Sequence, residues 1–112
     1  MQLEAQPAAR LDRLFVALAD GGRRAMIDQL GGGPASVSDL ARPLDIALPS
    51  ALKHLAVLEK GGVVCSEKVG RTRIYRIAPD AFSGLEAWVS ERKAQWNRQF
   101  DRLEQFLEGE QT

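Results

Sequence analysis

Residues 49–77 read PSALKHLAVLEKGGVVCSEKVGRTRIYRI, and this stretch decides the fold. Pro49 suits the first turn of a helix, where a missing N–H has no partner to lose. Leu52, Leu55, Ala56 and Leu58 supply the apolar residues of that helix, which runs to Lys60 and stops at Gly61–Gly62. Two β-rich runs follow, VVCSEKV and RIYRI, on either side of GRT, a Gly-containing turn with basic residues at its tip. They form a hairpin that carries Lys68, Arg71 and Arg73.

Upstream, Leu11, Leu14, Phe15 and Leu18 recur at helical spacing and mark a first helix that ends near Ala19. Asp20 can cap a second helix with Met26, Ile27 and Leu30 as its apolar side, and GGGP stops it. ASVS is a brief extended piece. Ser38 is expected to cap a third helix carrying Leu40 and Leu44, with Val37 just outside it as a hydrophobic staple. Pro43 would delete a hydrogen bond inside that helix, so the helix should be short or distorted. Downstream, Pro79 and Asp80 should open a last helix of roughly seven turns. Its apolar residues are Leu85, Trp88, Val89, Trp96, Phe100, Leu103, Phe106 and Leu107.

The expected order is α-α-β-α-α-β-β-α, mainly α with a small β-hairpin. Two short helices joined by a tight connection, the second followed by a basic hairpin, have the layout of a winged helix-turn-helix. The second of the two helices fits a major groove about 12 Å wide, and the hairpin tip can reach backbone or minor groove.

Composition is compatible with this. The chain has 112 residues and a formal net charge of zero, with an ordinary globular balance of apolar and charged residues. One domain is expected over residues 10–107, dimerisation helices included, between flexible ends at 1–9 and 108–112. Charge is uneven: residues 42–76 hold seven Lys/Arg against three Asp/Glu, and residues 77–112 hold four against seven. A basic middle third can meet a polyanion in a chain that is neutral overall. No apolar run approaches the ~20 residues of a membrane span and the N-terminus lacks the order of a signal peptide, so a cytoplasmic protein is expected.

The blocks LFVALADGGRRAMIDQL, SVSDLA, PSALKHLAVLEKGGVV and GRTRIYRI, in this order and spacing, resemble the ArsR-type winged helix-turn-helix transcriptional regulators. The resemblance covers roughly residues 10–107. It implies a dimeric repressor that binds operator DNA and releases it when a signal, such as a small-molecule effector, arrives. The tail WVSERKAQWNRQFDRLEQFL is similar to the branch with a Trp-rich final helix rather than to the metal-sensing branches. Carried over position by position, the resemblance implies DNA contacts by Ser50, Lys53 and His54 on the fourth helix and by Arg71 and Arg73 on the wing.

Each of these residues also has a plainer reading. Lys53 can be merely solvated, Ser50 can cap its own helix, and the wing arginines can simply keep the hairpin soluble. His54 stands between the DNA side and the core, and either a phosphate contact or a structural hydrogen bond suits that border. Many members of the family have serine where this chain has Ala47, and polar residues where it has Leu48 and Leu52. Apolar side chains there could meet thymine methyls, or could mean that fewer hydrogen-bonding edges are read. The first and last helices carry more apolar surface than the small domain can cover. A C2 homodimer is therefore expected, with Leu11, Leu14, Phe15 and Leu18 packing against Trp88, Trp96, Phe100, Leu103, Phe106 and Leu107, on a pseudo-palindromic site.

Other functions fit poorly. His54 and Cys65 are single and sit in separate elements, which does not make a metal site, and no cofactor is expected. A lone strand thiol is more often inert than a redox sensor. No phosphate cradle or nucleophile motif points to an enzyme. A winged helix used only for protein contacts is the alternative to DNA binding, and salt dependence separates the two.

Overall fold

The computed structural model describes residues 7–110; residues 1–6 and 111–112 of the expected flexible ends lie outside the described residues. Helix α1 spans Pro7–Leu18 and α2 Gly21–Leu30; strand β1 is Ala35–Ser36; α3 is Val37–Ala41, followed by a 3₁₀ turn over Arg42–Leu44. Then come α4, Leu48–Lys60, strands β2, Val64–Val69, and β3, Thr72–Ile77, and α5, Ser83–Glu110. The order of elements is the one expected from sequence. Of the ends expected to be flexible, residues 7–9 belong to α1 and residues 108–110 to α5. Where one domain was expected through residue 107, the chain divides into two compact units, one ending at Phe82 and one starting at Ser83.

In the first unit, Asp20 caps α2 as expected, its Oδ2 accepting from the Arg23 amide at 3.0 Å. The α3 cap differs from expectation: it is Ser36 and not Ser38, and Val37 lies in the first turn instead of outside the helix. The reason is a capping box. Ser36 Oγ accepts from the Asp39 amide at 3.2 Å, and the Ser36 amide donates back to Asp39 Oδ2 at 3.4 Å, so two orphan donors are satisfied at once. Pro43 does limit this helix, which gives way to the 3₁₀ turn at Arg42. Asp45 then adopts a left-handed conformation, φ 53°, which turns the chain toward α4.

Strand β3 lies between β1 and β2, and both pairings are antiparallel. Val69 pairs with Thr72, leaving Gly70 and Arg71 as a two-residue hairpin loop; Gly70 has φ 65°, which a primed turn requires of its first central residue. The register puts Val64, Ser66, Lys68, Arg73, Tyr75 and Ile77 on one face of the hairpin. Val64 and Tyr75 are buried at its base, and Lys68 and Arg73 are exposed at its tip.

The core gathers Leu14 and Ala17 of α1, Met26 and Leu30 of α2, Leu40 of α3, and Ala51, Leu55 and Leu58 of α4. Leu14 was expected at a dimer interface, but it is buried within its own chain. The α1 and α4 backbones meet at Gly61: a Cβ there would stand 2.8 Å from Ala17 Cβ and 2.9 Å from the Arg13 carbonyl oxygen. Any larger residue would force the helices apart.

The second unit is α5. It starts at Ser83, not at Pro79, because residues 78–81 form a turn in which the Ala81 amide donates to the Ala78 carbonyl at 3.2 Å and Ala81 is buried. Its 28 residues extend about 42 Å. At 100° per residue, the apolar side chains from Leu85 to Leu107 fall within an arc of about 120°. From Trp88 onward each of them is exposed. Arg92 lies over the Trp88 ring, 4.6 Å from its centroid.

Candidate nucleic-acid interface

Helix α4 has two chemically distinct sides. Ala51, Leu55 and Leu58 face the core, whereas Pro49, Leu52, Lys53, Ala56 and Lys60 share an exposed face. Ser50 is also exposed, in the first turn. The N-cap residue Ala47 is extended, with no side-chain hydrogen bond to the helix. The α4 amides at this end therefore lack the capping that Ser36 gives α3.

The expected contact residues divide into three groups. Lys53 and Arg71 are exposed, and among the described residues neither has an ion-pair partner, which also holds for Lys68. Arg73 is exposed too, its Nη1 donating to Ser66 Oγ across the hairpin at 3.0 Å. Lys68 stands directly opposite Arg73, and Arg71 occupies the loop beside them. Like charges opposed across a ladder repel one another, and a polyanion relieves that repulsion. Arg76 projects from the other face of β3 and is already bound to Glu67, 2.8 Å away.

His54 forms the third group, because it is turned inward. Its side chain is only 25% exposed, with Nδ1 3.9 Å from Asp20 Oδ2 and 3.5 Å from Arg23 Nη1. Gly22 makes room for it: a Cβ there would lie 3.4 Å from His54 Nε2 and 3.1 Å from Asp20 Oδ2. The amide of Arg23 does most to hold the Asp20 carboxyl below the usual carboxylate range; desolvation is the next effect and opposes it, and the charges of Arg23 and His54 and the Gly22 amide add smaller lowering effects.

Arg23 was not singled out from sequence. Its Nε donates to the Ala17 carbonyl and its Nη2 to the Val16 carbonyl, each at 2.8 Å, while Arg24 Nη1 donates to the Leu18 carbonyl at 2.7 Å. Two arginines thus close the C-terminus of α1, and one of them also reaches the imidazole of α4. Arginine at a helix end commonly satisfies the last carbonyls, so the pair in DGGRR, just past the first helix, was a usable signal.

Among the described residues no group of three or more His, Cys, Asp or Glu is placed to hold a metal ion, and no helix is long and apolar enough to cross a membrane. Cys65 is a half-buried free thiol on β2.

Comparison with known proteins points the same way. A helix-turn-helix domain family model matches residues 18–66, from the end of α1 into β2. The HTH-type transcriptional regulator Rv2034 of Mycobacterium tuberculosis is 36% identical over 99 residues, which cover 88% of this chain and 90% of that protein. The crystal structure of an ArsR family transcriptional regulator superposes with a TM-score of 0.76 at 44% identity, covering 83% of this chain and 96% of the other. The homodimeric winged helix-turn-helix DNA-binding domain of a possible ArsR-family regulator from Mycobacterium bovis gives a TM-score of 0.66 at 27% identity, over 88% and 92% of the two chains. With its α3–turn–α4 unit, its basic hairpin and these relatives, the chain belongs to the ArsR family of DNA-binding winged helix-turn-helix transcriptional regulators.

Proposed function

We propose that the chain is a cytoplasmic homodimeric repressor that binds a pseudo-palindromic operator, with α4 in the major groove and the wing on the flanking backbone. The observation that carries this reading is that Lys53 on α4 and Lys68 and Arg71 on the hairpin of the same compact unit are exposed and have no ion-pair partner among the described residues. Lys53 and Ser50 contact base edges or phosphate, Arg71 and Arg73 contact phosphate or a narrow minor groove, and His54 holds α4 in place from behind. Two copies joined through Phe15 and the α5 stripe present two such helices to successive turns of DNA. A signal that shifts the dimer changes the distance between those helices and so releases the operator.

The test is binding to the protein's own promoter region across a salt series. Lys53→Ala and Arg71→Ala should each weaken binding and lower the salt slope by about one. A wild-type chain with no salt-dependent affinity for that DNA would instead be a protein-interaction module, and unchanged affinity in both variants would remove these residues from the interface.

A further inference from the structure

The outward face of α4 is poor in hydrogen-bonding groups. In its first two turns Lys53 and Ser50 are the exposed polar side chains, Lys53 the one Lys or Arg, and the neighbours of Lys53 on that face are Pro49, Leu52 and Ala56, with Leu48 beside them. Leu48 and Leu52 are 46% and 47% exposed, although Ala51, next to Leu52 in the chain, is fully buried. Neither leucine belongs to the core, and neither gains anything from facing water.

In the major groove the bases offer one apolar feature, the C5-methyl of thymine, among nitrogen and oxygen groups that lose water when covered. A leucine pressed on those polar groups leaves them without partners, which is unfavourable; pressed on a methyl, it buries apolar surface on both sides. We propose that Leu52 reads a thymine methyl in each half-site, so that A·T pairs under α4 set part of the operator's sequence. Lys53, about 100° further round the helix, is left to phosphate or guanine. The proposal rests on the reading of α4 as the DNA-contacting helix.

The test uses the full chain and two versions of its promoter fragment, one with thymine and one with every thymine replaced by deoxyuridine, which pairs identically and lacks only the methyl. Affinities are measured by fluorescence anisotropy at one fixed salt concentration, for wild type and Leu52→Ala. The wild type should lose about fourfold in affinity per methyl, or roughly fifteenfold for two half-sites. Leu52→Ala should bind the thymine fragment about as weakly as wild type binds the deoxyuridine one, and should be indifferent to the exchange. Because Leu52 is exposed, the variant should melt with the wild type, which separates a lost contact from a lost fold. Equal wild-type affinity for the two fragments, or the same loss in Leu52→Ala as in wild type, overturns the methyl contact while leaving operator binding intact. Failure of the wild type to bind either fragment overturns the operator reading and this inference together.

Discussion

Helices α4 and α5 both carry apolar residues at three- and four-residue spacing, but in α4 the stripe of Ala51, Leu55 and Leu58 is buried within the first unit. In α5, Trp96, Phe100, Leu103, Phe106 and Leu107 are all exposed, Phe100 at 66%. The same periodicity therefore has two outcomes. A covered stripe fixes where its helix lies, and so aims the opposite face of α4 outward. An open stripe of this length leaves apolar surface in water, and in the homodimer proposed above a second copy of the chain would cover it with a matching stripe by symmetry.

Breaking the open stripe should have the larger effect. Phe100→Glu puts a charge at the middle of the proposed seam, where burial without a partner costs several kcal/mol. The variant should run as a monomer in size-exclusion chromatography with light scattering, and operator affinity should fall on the order of a hundredfold, since hot-spot losses of this kind exceed ~2 kcal/mol. Its first unit should stay folded. A Phe100→Glu chain that remains dimeric would place the seam elsewhere, and α1 with its exposed Phe15 and Val16 would be the next surface to substitute.

Breaking the covered stripe should act differently. Leu55 is fully buried, and Leu55→Ala should cost about 3 kcal/mol, through lost burial and the cavity left behind. This appears as a lower denaturant midpoint for the first unit, with no direct effect on the α5 seam. Melting over a range of protein concentrations separates the two variants: wild type and Leu55→Ala should gain stability with concentration by mass action, and Phe100→Glu should not. If Leu55→Ala also abolished assembly, the two stripes would not be independent.

Much of this contrast was legible in the sequence. GGGP, Gly61–Gly62 and the turn at Gly70 punctuate the chain, and between them the periodicities of the helices and hairpin were readable, as was the basic tip. What escaped was anything decided by contact between distant residues. Periodicity put Leu14 on an apolar face, but it could not say whether the cover comes from the same chain. Ser36 and Ser38 are both serines before an apolar run, and only the reciprocal bond with Asp39 selects Ser36. His54 has partners 31 and 34 positions away, at Arg23 and Asp20, so its local sequence left two readings open and the geometry shows the inward one.

The smallest expected effect concerns how α4 begins. Helix α3 has a complete capping box, whereas α4, the proposed DNA-contacting helix, has Ala47 at its N-cap and no side-chain cap. In Ala47→Ser the new hydroxyl has one good donor to accept from, the Ser50 amide, because Pro49 has no N–H to offer. The substitution should stabilise the first unit by about 1 kcal/mol, a melting rise of roughly 4–8 °C for a unit of this size. If operator affinity stays constant while stability rises, the bare helix end is a tolerated loss of one capping hydrogen bond. If affinity falls as stability rises, the Ser50 amide is a contact that DNA and a cap compete for, and the missing serine belongs to the binding surface rather than to the fold.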